Sequence, residues 1–187
     1  LGIAGRMVGA TKIGHLAPDL SSARAAALIE ASVAASLKRL RLDVLPICLL
    51  HSEDSFRYIG ALLNLQAKGL IRHIGVSTVT PEATAAIVSS GKAEAIQVPA
   101  SILDHRFTGG GICAQAAERR MAVFARSIYL QGLVLMNEED IPADLLDVIP
   151  PLRRLRLVAA EAGMTLAELA VRFILGLDEV TCILVGV

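Results

Sequence analysis

A lysine and a histidine stand at the ends of two short apolar segments of the sequence. Lys12 lies near the end of Met7–Ile13, and His51 directly follows Val44–Leu50. A neutral imidazole can donate a hydrogen bond to a carbonyl oxygen, and a lysine of lowered pKa can form a Schiff base. Each residue also has an ordinary structural interpretation, as a solvated lysine or a histidine satisfied in the core. Their chemistry therefore depends on the elements that position them.

Further polar residues lie at or near the carboxyl ends of three more strand-like segments. These residues are Ser77, Thr78, Gln97, Arg126 and Ser127. An amide inside an apolar strand is costly to bury without partners, so Gln97 is either satisfied by the core or holds a ligand. Each residue alone is weak evidence. Successive strands that all deliver polar groups to one edge are seldom a coincidence.

The elements that carry these residues alternate between short apolar segments and longer amphipathic ones. The short segments predict buried strands and the longer segments predict helices. The predicted strands are Met7–Ile13, Val44–Leu50, His73–Ser77, Ala95–Val98, Ala122–Ser127 and Cys182–Val187. The predicted helices are Ser21–Leu40, Phe56–Lys68, Pro81–Ser90, Ile112–Arg119, Leu152–Ala162 and Thr165–Leu175. The Pro-rich segment Asn137–Pro151 is interpreted as a surface loop.

This alternation predicts an α/β fold with a parallel sheet, either an open doubly wound sheet or a closed barrel. A doubly wound dinucleotide-binding sheet would carry G-x-G-x-x-G after its first strand, whereas this chain has A-T-K-I-G at 10–14. The glycine run 109–111 lacks that spacing and is interpreted as a flexible turn. Spacing leaves both architectures open, and the polar strand ends favour the barrel. Without a linker or repeat, residues 1–187 are expected to form one domain.

Composition excludes several classes of function. The 18 Lys and Arg residues balance the 18 Asp and Glu residues, so the basic surface that nucleic-acid binding needs is missing. The 3 cysteines are scattered through apolar segments, which argues against a metal site and favours a reducing compartment. We see no signal peptide and no apolar run of the roughly 18 residues that a membrane span needs. We therefore expect a cytoplasmic protein without nucleic-acid, membrane or metal partners.

Several motifs, taken in order, resemble those of the aldo-keto reductase family. They are A-T-K-I-G at 10–14 and S-L-K-R-L at 36–40, the latter ahead of a strand that ends in histidine. The string G-L-I-R-H-I-G-V-S at 69–77 is similar to the family's G-K-I-R-x-I-G-V-S and is the most specific of them. R-S-I-Y-L-Q-G at 126–132 resembles the family's aromatic-S-x-L-x-x-G loop, and L-V-G-V at 184–187 resembles its last barrel strand. The resemblance covers nearly the whole chain.

The resemblance implies a (β/α)8 TIM barrel that reduces an aldehyde or ketone with NADPH, or with NADH. The family uses a tetrad of Asp, Tyr, Lys and His. Lys12 corresponds to the lysine, which lowers the pKa of the tyrosine acid, and His51 corresponds to the histidine, which orients the substrate carbonyl. Ser77 and Gln97 correspond to residues that hold the nicotinamide carboxamide. The small-molecule partner implied is a carbonyl substrate.

The resemblance also implies cofactor contacts, with two departures from the family pattern. Ser127, Tyr129 and Gly132 fall in the loop that contacts the cofactor pyrophosphate. Thr78 stands where the family usually has Asn, so it is expected to hold the nicotinamide with fewer donors. Arg126 replaces the aromatic residue that usually stacks on the nicotinamide, and a guanidinium can also lie flat on a ring. These departures indicate a divergent bacterial-type member rather than a typical sugar or steroid reductase.

The family's Asp and Tyr should precede Lys12, and its adenosine-phosphate segment should follow Val187. We therefore expect a chain that lacks the first strands and the C-terminal segment of the barrel and reduces carbonyls poorly by itself. One alternative is a regulatory protein that binds a nicotinamide cofactor without efficient catalysis. Another is a different barrel enzyme, with Lys12 as a Schiff-base nucleophile. The substrate, the choice between NADPH and NADH, and the oligomeric state stay open at this point.

Overall fold

Strands and helices alternate along residues 7–185, the part of the chain that the computed structural model describes. The strands are β1 (Ala10–Lys12), β2 (Leu45–Leu50), β3 (Ile71–Ser77), β4 (Ala95–Pro99), β5 (Ala122–Arg126) and β6 (Cys182–Ile183). The α-helices are α1 (Ser22–Leu40), α2 (Ile59–Ala67), α3 (Pro81–Ser90), α4 (Ile112–Glu118), α5 (Ile149–Glu161) and α6 (Leu166–Leu175). The predicted order of elements is confirmed.

The order of the strands decides between the two architectures that the spacing allows. All neighbouring strands pair in parallel, and they follow chain order from β1 to β6. A doubly wound sheet reverses its strand order at a switch point, and this sheet has no reversal. Each crossover therefore adds the next strand on the same side, which is how a barrel wall is built. Within residues 7–185, β1 and β6 form the two edges of this wall.

The two faces of the sheet carry different sets of side chains. Cys48 and Leu50 of β2 belong to the main core, which the helices cover, whereas Leu49 joins a smaller cluster with Ala95 and Phe124. Because side chains alternate across a strand, these sets lie on opposite faces of the sheet. The smaller cluster marks the inner face of the barrel wall. Polar residues of the same parity near the strand ends are therefore directed towards the barrel interior.

Both edge strands are shorter than predicted. β1 covers only Ala10–Lys12 of the predicted Met7–Ile13, and β6 covers Cys182–Ile183 of the predicted Cys182–Val187. An edge strand has a ladder partner on one side only, which limits how far the pairing extends. Residues 186–187 of the predicted last strand lie outside the described residues.

Two helices begin at other residues than the sequence pattern predicts. The predicted helix Phe56–Lys68 starts as a 3-10 helix at Glu53–Tyr58 and becomes α2 only at Ile59. Helix α5 begins at Ile149, inside the segment predicted as a loop, because its two prolines occupy the first turn, where no intrahelical N–H is required. The loop prediction was therefore wrong for the end of that segment.

Candidate active site

A cavity of about 350 Å³ opens at the carboxyl edge of the sheet, where four of the predicted site residues meet. It is lined by Lys12, His15, His51, Ser52, Glu53, Ser77, Val79 and Arg126. The predicted residues come from four different elements: Lys12 ends β1, His51 follows β2, Ser77 ends β3 and Arg126 ends β5. A parallel sheet in chain order brings these ends to one rim, which is where barrel enzymes place their active sites.

Lys12 enters the cavity as a partly desolvated cation. It pairs in register with Leu49 of β2 and lies on the inner face of the wall. Burial lowers the pKa of Lys12, and the nearby positive charge of Arg126 lowers it further. Such a lysine yields its proton more readily than an exposed one and interacts strongly with any acid placed beside it.

His51 lies against a second imidazole that the sequence analysis did not single out. The ring centroids of His15 and His51 are 3.9 Å apart and the rings are tilted by 42°. Burial lowers the pKa of His51, and the charges of His15, Lys12 and Arg126 lower it further. At neutral pH the His51 ring is therefore neutral, and its N–H group can donate to a carbonyl oxygen. The position of His15 three residues after Lys12 is the sequence signal that could have identified it as a site residue.

Ser77 and Gln97 form a buried pair on neighbouring strands. They are direct partners in the register of β3 and β4, and the Ser77 hydroxyl donates to Oε1 of Gln97 at 3.2 Å. In the part of the chain that the structure describes, no acceptor bonds Nε2 of Gln97, and this nitrogen is not sealed from solvent. The pair therefore presents an amide donor whose partner oxygen is already oriented.

Thr78 is positioned differently from its neighbour Ser77. Its side chain is fully buried on the face of β3 that also carries Val76, and Thr84 of α3 donates a hydrogen bond to its hydroxyl at 2.7 Å. The backbone carbonyl of Thr78 accepts a hydrogen bond from Arg126 at 3.0 Å. Thr78 therefore contributes to the site through its carbonyl oxygen, and its hydroxyl serves packing against α3.

Arg126 is half-buried between two cavities. Its guanidinium donates to the Thr78 carbonyl and to the hydroxyl of Ser127, the latter at 3.2 Å. Burial lowers the pKa of Arg126, while the negative charge of Glu53 acts in the opposite direction. The planar guanidinium is thus fixed at its ends, which leaves its flat face available to a ring.

The second cavity, of about 530 Å³, contains three further predicted cofactor residues, whereas Thr78 and Gln97 line neither of the two cavities. Ser127, Tyr129 and Gly132 line it, and Arg126 forms its wall towards the first cavity. The loop turns sharply because Ser127, Leu130, Gln131 and Gly132 have positive φ angles of 58°, 48°, 57° and 97°. Left-handed backbone is uncommon for side chains other than glycine and often marks a functional loop.

Among residues 7–185, no group of three or more His, Cys, Asp or Glu side chains could hold a metal ion. In the same part of the chain, none of the helices combines the length and apolar character of a membrane span.

The strand order and the polar rim define a protein of the (β/α)8-barrel class with its site at the carboxyl edge. The chain matches the model of the aldo/keto reductase family over residues 4–187 and belongs to that family. A search of the curated proteins finds no match. The fold and family that the sequence motifs predict are therefore confirmed.

Solved structures show the same fold. An aldo-keto reductase from Bacillus halodurans, in its holo form, matches with a TM-score of 0.74 and 26% identity over 99% of this chain and 64% of that chain. Its apo form matches with a TM-score of 0.73 and 24% identity over 100% and 62%. A glycerol dehydrogenase from Gluconobacter oxydans matches with a TM-score of 0.65 and 23% identity over 84% and 54%. The chain thus spans less than two thirds of the length of these proteins.

Proposed function

We propose that the protein is an NAD(P)H-dependent oxidoreductase that reduces an aldehyde or a ketone to an alcohol. The observation that supports this most directly is the meeting of Lys12, a neutral His51 and Arg126 in one cavity beside the Ser77–Gln97 pair. Membership of the aldo/keto reductase family is consistent with the same activity.

The residues of the cavity suit the polarisation of a carbonyl group. His51, neutral at neutral pH because its pKa is lowered, donates a hydrogen bond to the substrate oxygen and orients the carbonyl. Lys12 places a cation in the same cavity, where its field favours the negative charge that develops on that oxygen. Neither residue needs a metal ion for this role.

The donor set around the two cavities fits a nicotinamide cofactor. The amide nitrogen of Gln97, which has no hydrogen-bond partner among residues 7–185 and is oriented by Ser77, can bind a carboxamide, and the guanidinium of Arg126 can lie against the ring. The Ser127–Gly132 loop lines the larger cavity, which has room for the rest of the molecule. The bound cofactor would supply the hydride that the side chains cannot provide.

Carbonyl reduction needs a proton donor, and the described residues offer no tyrosine for this role. Tyr58 donates its hydroxyl to the carbonyl of Leu20, and Tyr129 lines the second cavity. In residues 7–185, neither tyrosine lines the cavity of Lys12 and His51. We propose that the acid is a tyrosine outside these 187 residues, as the resemblance implies, and that the 187 residues alone reduce carbonyls poorly.

The test is to express the complete open reading frame that encodes these residues and to measure cofactor binding and oxidation. We expect NADPH to bind, with NADH as the weaker cofactor, and to be oxidised with some members of an aldehyde and ketone panel. His51→Gln and Lys12→Met should each lower kcat/KM by about 100-fold or more, as the loss of a catalytic acid–base or electrostatic group does. Failure to bind either cofactor would refute the proposal.

Two other outcomes would point to the alternatives. Tight cofactor binding without turnover of any panel member would favour a regulatory protein. A covalent adduct on Lys12 after borohydride treatment with a carbonyl compound would favour a Schiff-base enzyme, for which the lowered pKa of Lys12 is suitable. A cytoplasmic location and a single domain over residues 1–187 stay predictions.

A further inference from the structure

Glu53 lies at the start of the 3-10 helix after β2 and forms hydrogen bonds with the loop between β3 and α3. Its Oε2 accepts hydrogen bonds from the backbone N–H groups of Val79 at 2.6 Å and Thr80 at 3.2 Å. Its Oε1 accepts the Thr80 hydroxyl at 2.8 Å. Both carboxylate oxygens are therefore occupied, and Thr80 is also the N-cap of α3. Glu53 is not among the predicted site residues, although it lies two residues after His51.

The segment that Glu53 holds leads directly to the acceptor of Arg126. Thr78 is fixed on one side by the bond from Thr84 to its hydroxyl and on the other by the tethered Val79 and Thr80. Its carbonyl is thereby aimed at the guanidinium of Arg126, which donates to it at 3.0 Å. The Thr78–Val79 peptide group thus connects the Glu53 carboxylate, in the 3-10 helix after β2, to the Arg126 guanidinium at the end of β5.

Charge links the same two side chains. Glu53 and Arg126 both line the first cavity, and the negative charge of Glu53 opposes the effect of burial on Arg126. The other cation beside Arg126 is Lys12, which repels it. Glu53 therefore places a negative charge in the cavity that holds these two cations.

We propose that Glu53 is a positioning residue for Arg126, which it holds in place through the Val79–Thr80 loop and the Thr78 carbonyl. Arg126 is the wall common to both cavities, so its orientation determines the surface that a nicotinamide ring meets. The part of this inference that concerns the cofactor rests on the proposed function. The part that concerns the orientation of Arg126 does not.

The orientation of Arg126 can be measured without cofactor. In 15N-labelled protein the guanidinium N–H signals of Arg126 are assigned by their absence from Arg126→Lys. We expect their exchange with water to accelerate about tenfold in Glu53→Gln, the size of effect that one lost charge-assisted hydrogen bond produces. Glu53→Asp keeps the charge and should restore most of the protection.

The matched control is Asp54→Asn, which removes a neighbouring, exposed carboxylate from the same 3-10 helix. Its Arg126 signals should match those of the unchanged protein. If Glu53→Gln does not fold, Thr80→Val replaces it; this variant removes the hydroxyl donor to Glu53 and also the hydroxyl acceptor that caps α3, so its melting temperature is measured alongside. Unchanged Arg126 exchange in Glu53→Gln, with a wild-type melting temperature, would overturn the proposal.

Cofactor binding provides the second readout. We expect the Kd of NADPH for the full-length protein to rise about tenfold in Glu53→Gln, equivalent to one such bond. In an Arg126→Met background the same substitution should change Kd by less than about twofold, because coupled residues are not additive. Fully additive effects would overturn the link between the two residues. If the unsubstituted full-length protein binds no cofactor but the Arg126 exchange rates change as expected, the proposed function is refuted and the positioning role of Glu53 stands.

Discussion

Gly75 belongs to the most specific motif of the sequence. The structure leaves no space for a side chain at this position. It lies in β3 between β2 and β4, with Leu49 and Ala95 as its partners in register. A Cβ atom at this position would stand 2.3 Å from the carbonyl oxygen of Ala95 and 2.7 Å from Cδ2 of Leu49. The leucine tip can move, whereas the carbonyl oxygen belongs to the backbone of the neighbouring strand. Gly75→Ala therefore forces β3 and β4 apart close to Ser77.

The size of the effect follows from this geometry. Overpacking a well-packed core costs about 1–3 kcal/mol and occasionally more, and a clash with backbone belongs at the upper end of that range. We expect Gly75→Ala to lower the free energy of unfolding by about 3 kcal/mol and the melting temperature by roughly 6–12 °C for a chain of this size. Urea denaturation and differential scanning calorimetry measure the two quantities. The m-value should stay unchanged.

Gly60→Ala is the matched control. Gly60 lies in the first turn of α2, is exposed, and a Cβ atom there would meet nothing within 4 Å. In a helix alanine is more favourable than glycine, so this variant should be stabilised by about 0.5–1 kcal/mol. A Gly75→Ala variant that unfolds within about 0.5 kcal/mol of the unchanged protein would refute the close approach of β3 and β4.

Three other predictions concern ionisation, thiol reactivity and helix capping. The pKa of His51 is lowered by burial and by neighbouring charges, so its NMR titration midpoint should lie below the ordinary value of about 6.5. The free energy of unfolding should fall as the pH drops through that ordinary value. A midpoint above it would contradict the cavity geometry. Burial raises the pKa of Cys48 to about 12 and that of Cys113 to about 11, so only the exposed Cys182 should react quickly with iodoacetamide at pH 8, as mass spectrometry of the intact chain can show; rapid labelling of all three would contradict the core. Thr165 forms a capping box at the start of α6, and Thr165→Ala should lower the free energy of unfolding by about 1 kcal/mol in urea denaturation, whereas no change would mean that the cap is not formed.

Much of the fold follows from local patterns in the sequence. Short apolar segments alternating with amphipathic ones suffice to predict parallel strands and helices, because burial on both faces and a single apolar face leave different periodicities. Local residue types also mark helix ends: the Ser21 hydroxyl accepts a hydrogen bond from the Arg24 N–H at the start of α1, and Gly91 ends α3 in the left-handed region. The edge strands and the start of α5 were less predictable from local periodicity. The length of an edge strand depends on its pairing partner, and the start of α5 depends on the tolerance of a helix for proline in its first turn.

The choice of barrel over open sheet was not available from spacing. Both architectures use the same alternation of elements, and they differ in whether each crossover adds its strand on the same side. That choice depends on packing between helices and strands that are distant in sequence. The unbroken order from β1 to β6 settles it.

Strand parity explains which of the predicted site residues face the cavity. Ser77 has the parity of Gly75 on the inner face, whereas Thr78 has the parity of Val76, which packs under the helices. Parity can be read from the sequence, but which parity faces inward depends on which face the helices cover. The prediction that the Thr78 side chain holds the cofactor therefore did not anticipate its bond with Thr84.

The amino-acid sequence by itself determined the family, the order of elements and the residues that end each strand. It specified Lys12, His51, Ser77 and Arg126 because strand ends are local features. Only the tertiary structure decided that His15 lies against His51 and that Glu53 reaches the loop before α3. Such contacts form between loops after different strands, and the curvature of the sheet sets their distance rather than any local preference of the chain.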